Sequence, residues 1–115
     1  MQPRDVSSLT DILEAALLIQ GFAAGIDRSV FDGSLLIQSA VIRQIEVMGE
    51  ATKRLSEEFK AANPHIPWRK IAGMRDILIH AYDHVDPDEL WNAVQYSIPG
   101  LIEQLQALAG SQNEN

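Results

Sequence analysis

The stretch Ile71-Ala72-Gly73-Met74-Arg75-Asp76-Ile77-Leu78-Ile79-His80-Ala81-Tyr82 holds the residues best suited to chemistry. Arg75 brings a planar guanidinium whose fixed donors match a phosphate group. His80 exchanges protons near neutral pH. Tyr82 adds a phenol, and Asp76, one helical turn before His80, is placed to fix the imidazole tautomer. Asp86 starts the next helix, so His80 to Tyr82 are predicted in or near the last turn of theirs. Carbonyls there favour a protonated imidazole, which suits a general acid. Without further context, an Arg and a His five apart on an amphipathic helix are more often surface or packing residues.

The spacing raises a geometric difficulty. At ~100° per residue, Arg75 and His80 lie about 140° apart around a regular helix, whereas Arg75 and Tyr82 nearly coincide. Either the helix unwinds before His80, or the site is completed across a dimer interface. The second is favoured, because another helix also asks for a partner. His80 and His84 are four apart, a metal-compatible spacing, but no third ligand is evident and the next helix starts too soon for a regular turn. No metal site and no cofactor are expected. Cysteine is absent, which removes thiolate nucleophiles, disulfides and zinc–thiolate sites.

Four helices must position these residues. A chain of 115 residues, 46% of them hydrophobic, fits one domain. The first helix is expected over about Ser8 to Ala24, with Ser8 and Asp11 as a cap pair and Leu9, Ile12, Leu13, Ala16, Gln20 and Ala23 at helical spacing. Gly25 and the Asp27–Gly33 stretch end it. The second and longest is expected over about Ser34 to Ala62. Its stripe of Ile37, Val41, Ile45, Met48, Leu55 and Phe59 is widened by Leu36, Ala40, Val47 and Ala51 to roughly 180°, well beyond the ~100° stripe of a helix covering one core. One face inside the domain and one against a partner are implied.

Asn63 and Pro64 close that helix. Pro67 opens the third, which lines up Ile71, Met74, Leu78, Ala81 and Val85. Gly73 inside it suggests the close approach of another helix. The fourth starts at Asp86 as N-cap, with Pro87 at N1 and Glu89 three residues on. Leu90, Ala93, Val94, Ser97, Leu101 and Leu105 continue it, with a kink at Pro99–Gly100. Short connections imply antiparallel neighbours, hence an all-α fold, a four-helix up-and-down bundle that dimerises. It should occupy residues 1–110, with a disordered polar tail at 111–115. Trp68 and Trp91 read as bundle-edge packing, and Arg43, Glu46 and Glu50 as charge pairs on a solvated face.

Nothing in the N-terminus reads as a signal peptide, and no apolar run approaches the ~20 residues that span a bilayer. A cytoplasmic location with no membrane partner is the expectation. The net charge of −7 argues against a general nucleic-acid coat, whose affinity comes from Lys and Arg at phosphates. Any RNA contact must be local, where a few cations outweigh the overall field.

The ordered run Glu50-Ala51, Leu55-Ser56-Glu57-Glu58-Phe59, Asn63-Pro64-His65-Ile66-Pro67-Trp68, Gly73-Met74-Arg75, His80-Ala81-Tyr82, Val85-Asp86 and Trp91 resembles the HepT-like branch of the HEPN superfamily. The resemblance extends from the first helix to about Leu105. It implies a homodimer of helical bundles with a metal-independent endoribonuclease site between protomers. It also implies a type VII-like toxin–antitoxin pair, in which a minimal nucleotidyltransferase antitoxin neutralises the toxin by adenylylating the motif tyrosine. Carried onto this sequence, the catalytic pair is Arg75 and His80, and the modified residue is Tyr82. Relatives often carry Asn after the motif Arg. Here it is Asp76, whose charge weakens local affinity for phosphate. Two other readings stay open at this point. One is a non-catalytic subunit that binds and assists a nucleotidyltransferase, which the acidic composition suits. The other is a helical adaptor with no nucleotide chemistry.

Overall fold

A computed structural model describes residues 2–80 and 84–113 of the chain. The fold is all-α apart from a two-residue ladder. Eight α-helices are described, with a π-helical segment joined to the last: α1 Pro3–Phe22, α2 Arg28–Asp32, α3 Leu35–Lys53, α4 Glu57–Ala62, α5 Trp68–Ala72, α6 Met74–Leu78, α7 Pro87–Asn92 and α8 Ile98–Asn113. The ladder pairs β1 Ile79–His80 with β2 His84–Val85.

The first helix starts five residues before the expected Ser8, because Pro3 occupies a position where its missing N–H costs nothing. The cap pair of Ser8 and Asp11 does not form. Ser8 is buried in mid-helix, and Asp11 pairs with Arg54 at 3.2 Å. Asp5, Ser8, Leu9, Ile12, Ala15, Ala16 and Ile19 form one buried stripe, so its first two members are polar. The Asp5 carboxylate is 2% exposed and accepts from the backbone N–H and the hydroxyl of Ser56, each at 2.7 Å. That bond and the Asp11–Arg54 pair bring the start of α1 beside the end of α3, so the two helices run antiparallel. On its other side α1 packs against α8.

The expected second helix is two. It stops at Lys53 and restarts at Glu57 after Ser56, whose hydroxyl caps the Phe59 N–H at 3.1 Å. Glu57 and Glu58 then complement the positive end of α4. Val41, Ile45, Met48 and Ala51 of the expected stripe are buried, whereas Leu36 is 81% exposed. An additional helix, α2, forms within the Asp27–Gly33 stretch that was expected only to end the first helix. Asp27 caps it, and it buries Phe31 against Trp91, with ring centroids 5.2 Å apart. Arg28 of α2 is paired with Asp88 and Asp32, which tie it to the first turn of α7 and raise its pKa, Asp88 foremost.

The expected third helix also divides, into α5 and α6 at Gly73. Trp68 is packed at that edge, donating from its indole to the Asn63 carbonyl at 3.0 Å. At α7, the start of the expected fourth helix, the expected cap holds: Asp86 accepts from Asp88 and Glu89 N–H groups, with Pro87 at N1. Where a kink was expected at Pro99, the chain takes a π-helical segment over Ala93–Ser97 just ahead of it. Proline cannot donate to the carbonyl four residues before it, and the wider turn adjusts the bonding around that position. Helix α8 runs to Asn113, through the first three residues of the expected tail.

Candidate functional site

The two helices that carry the motif sit against α3. Contact is close at Gly49, where a Cβ would lie 3.2 Å from the Ala72 carbonyl oxygen. Sequence reasoning assigned close approach to Gly73, but a Cβ there would meet only the Arg69 carbonyl at 3.5 Å, an ordinary contact within its own turn. Gly49 is therefore the notch, and Gly73 is the break between α5 and α6.

Arg75 lies on α6, one residue after the buried Met74. Its Nε is 3.4 Å from Oε2 of Glu46 on α3, and the two side chains are 41% and 38% exposed. Glu46 is the residue that sequence reasoning missed, having been read with Arg43 and Glu50 as part of a solvated face. Glu50 does follow that reading, pairing with Lys53 at 3.5 Å. Glu46 instead reaches another helix. The available signal was Gly49 three residues on, a small residue on the same side of α3.

His80 does not lie in a helical turn, as expected. Helix α6 ends at Leu78, and Ile79 and His80 enter the ladder, with Ile79 opposite Val85 and His80 opposite His84. The physical reason sits downstream. Asp86 precedes Pro87 and is held extended, with φ −85° and ψ 108°. Its N–H donates to the Leu78 carbonyl at 2.8 Å. Extended backbone at 84–86 thus finds its partner in the residues after Leu78 and draws them out of the helix. Two consequences follow. The helix-end carbonyl argument for a protonated His80 falls, and so does the 140° separation that pointed to a site split between protomers. The helix unwinds before His80, which was the less favoured of the two solutions.

Asp76 is exposed in α6. Because the helix ends two residues later, regular one-turn spacing no longer links Asp76 to His80. Tyr82, the expected modification site, lies outside the described residues, as does Ala81. Among the described residues, no group of three or more His, Asp or Glu could hold a metal ion. None of the described helices is long and apolar enough to cross a membrane.

The surroundings of Arg75 differ in charge from the rest of the chain. Residues 59–75 contain Lys60, Arg69, Lys70 and Arg75 and no Asp or Glu, in a chain with 9 Lys and Arg against 16 Asp and Glu. Arg69 and Lys70 are exposed on α5. Lys70 and Met74 also border an open cavity of about 410 Å³ that Ser97, Leu101, Glu103 and Gln104 line as well. Of these cations Lys60 is paired with Glu57 at 2.9 Å and Arg75 with Glu46, which leaves Arg69 and Lys70 as the exposed charges that could draw a polyanion despite the acidic whole.

The sequence pattern of the family described as Ribonuclease HepT-like matches residues 12–108, from α1 to α8. A Thermococcus cleftensis protein named "Probable ribonuclease HepT" is 45% identical over 100 residues, 87% of this chain and 91% of its own length. Two Methanocaldococcus jannaschii proteins, each named "Putative RNase", are also similar. One is 36% identical over 92% of this chain and 98% of its own length. The other is 38% identical over 94% of each. No solved structure matches.

Proposed function

Because this chain belongs to the Ribonuclease HepT-like family, we propose that it is a metal-independent endoribonuclease whose reaction is carried by Arg75 and His80. The observation that carries the reading is the setting of Arg75. Its guanidinium is partly exposed, lies 3.4 Å from the Glu46 carboxylate, and closes a stretch, residues 59–75, that contains four cations and no Asp or Glu. In the proposed reaction the ribose 2′-OH attacks the adjacent phosphorus and the 5′-oxygen leaves. His80 transfers protons, and Arg75 neutralises charge that builds on the phosphoryl oxygens. Cleavage of RNA in the presence of chelator, abolished by Arg75→Ala and by His80→Ala, tests it.

The finer reading concerns assembly and regulation. The chain acts as a homodimeric helical bundle in the cytoplasm and as the toxin of a type VII-like toxin–antitoxin pair. Its partner is a minimal nucleotidyltransferase that adds AMP to Tyr82. Support for a dimer comes from apolar side chains left in water, above all Leu35 at 78% and Leu36 at 81% exposure at the start of α3. Leu17, Leu18 and Phe22 along α1 add to it. A dimer would cover such surface, which a monomer this small rarely leaves contiguous. AMP on Tyr82 would add a phosphodiester charge seven residues after Arg75 in the chain, the kind of group that arginine captures.

Two observations favour the alternative, a non-catalytic subunit that assists the nucleotidyltransferase. The chain carries a net charge of −7, and its motif arginine is partly neutralised by a carboxylate. In that case cleavage would be absent from the pure protein, while binding to the nucleotidyltransferase would persist.

A further inference from the structure

We propose that the open cavity between α5–α6 and α8 is a base subsite for the RNA, and that the base it takes is guanine. The inference rests on the ribonuclease reading above for its substrate. At about 410 Å³ the cavity has the volume of a small-ligand site, and it reaches Met74, the residue before Arg75. Buried Ile71, Met74 and Leu101 give it an apolar lining for the face of a base, and the Met74 thioether suits an aromatic ring. Lys70 on α5 and Glu103 on α8 also line it. Both are exposed, and neither has an ion-pair partner among the described residues. Opposite charges that share a cavity without meeting fit a ligand with a negative group at one end and hydrogen-bond donors at the other. A nucleotide has both. Gly100 is a separate sign. It lies inside the helical run from Pro87 to Asn113, where glycine is disfavoured, yet a Cβ there would meet nothing within 4 Å. Packing within the protein does not call for it, and what the missing side chain does is keep the cavity open.

The acceptors around the cavity decide which base. Glu103, when ionised, only accepts. Gln104 donates from Nε2 to the His65 carbonyl at 3.5 Å, which leaves its side-chain oxygen to accept. Guanine suits that wall, because its N1–H and N2 amino group lie side by side and engage one carboxylate with two bonds. Adenine and cytosine set an acceptor nitrogen beside their amino group, and the N3–H of uracil stands alone between two carbonyls. Sequence-specific recognition of single-stranded RNA reads these edges. Lys70 then takes a phosphate oxygen. Ser97, at the end of the π-helical segment, adds a hydroxyl to the lining, and π segments are frequent at functional sites.

The test titrates the full chain with 5′-GMP, 5′-AMP, 5′-CMP, 5′-UMP and inorganic phosphate, followed in ¹⁵N–¹H spectra. GMP should shift the amides of the cavity walls on α5–α6 and α8 and bind about tenfold or more tighter than the other nucleotides. Glu103→Gln, at an exposed position, should remove most of that preference. Lys70→Ala should weaken all five ligands by a similar factor. Gly100→Leu should fill the cavity and abolish the shifts; should that variant fail to fold, Glu103→Gln still decides. No shift with GMP, equal affinity for the four nucleotides, shifts that phosphate alone reproduces, or shifts that map elsewhere would each overturn the proposal. A preference for GMP that Glu103→Gln leaves intact overturns it as well. In cleavage of a mixed-sequence RNA in chelator, cuts should concentrate beside guanines and lose that bias in Glu103→Gln. Cuts without that bias in wild type overturn the subsite even where GMP binds. If wild type cleaves no RNA, the ribonuclease reading fails, and the GMP titration still decides whether the cavity holds guanine.

Discussion

Ser56 donates twice to Asp5, once from its backbone N–H and once from its hydroxyl, each at 2.7 Å, while the same hydroxyl caps the Phe59 N–H. Asp5 is near the start of the chain and Ser56 lies between α3 and α4, so this buried contact fastens the first helix to the turn that ends α3. Asp5→Ala would leave the Ser56 N–H buried without a partner and remove two charge-assisted bonds. The expected cost is about 2–3 kcal/mol, read as a lower urea midpoint with an unchanged slope. Asp5→Asn, which keeps the acceptor oxygen, should lose less. Equal stability of Asp5→Ala and wild type would mean that the contact does not hold in solution.

Gly49→Ala sets two effects against each other. Alanine favours the helix by about 1 kcal/mol, but its Cβ would press on the Ala72 carbonyl at 3.2 Å, and backbone gives way less easily than a side chain. Overpacking of this kind costs about 1–3 kcal/mol. The expected outcome is a small net loss of stability with a larger loss of RNA cleavage, because α6 and Arg75 shift away from Glu46. A gain of the full alanine increment with normal activity would show that α3 and α5 are not held at this distance.

The periodicity of apolar residues made the long helices legible, and their failures share a cause. The start of α1 was hidden because Asp5 and Ser8, two buried members of its stripe, are polar. Sequence patterns count apolar residues and pass over a carboxylate buried through Ser56. The break at Ser56 was hidden in the opposite way. Helix formers run across it, and only the cap with Glu57 and Glu58 behind it marks a new start. At the motif, type and spacing drew attention to Arg75, His80 and Tyr82, but their roles came from the family resemblance. The end of α6 at Leu78 could not, since it depends on pairing with Val85 and on Asp86 held extended by Pro87. Glu46 was invisible for the same reason: its partner is on another helix.

The dimer makes its own prediction. Light scattering coupled to size exclusion should give twice the 12.7 kDa of the chain at micromolar concentration. Replacing both exposed leucines, Leu35→Glu with Leu36→Glu, should shift the mass towards one chain. Fold stability should change little, as is usual for exposed positions, by about 0.5 kcal/mol or less. A wild-type protein that runs as a monomer contradicts the proposed assembly.

Regulation at Tyr82 is read most directly by mass. Co-expression with a cognate minimal nucleotidyltransferase should add increments of one AMP, each contributing about one negative charge, and arrest of growth should be relieved. Tyr82→Phe should take up no AMP and remain toxic. Neutralisation of Tyr82→Phe with no gain of mass would place inhibition in complex formation alone.

The central claim is that Arg75 and His80 cleave RNA without a metal. The most direct measurement is cleavage of a labelled single-stranded RNA by purified protein in excess chelator, comparing wild type with Arg75→Ala and His80→Ala, all three shown by circular dichroism to be folded. The account predicts wild-type cleavage that leaves 2′,3′-cyclic phosphate ends, reduced about a hundredfold or more by either substitution. Cleavage that survives both substitutions, or that appears only when Mg²⁺ is added, would contradict it.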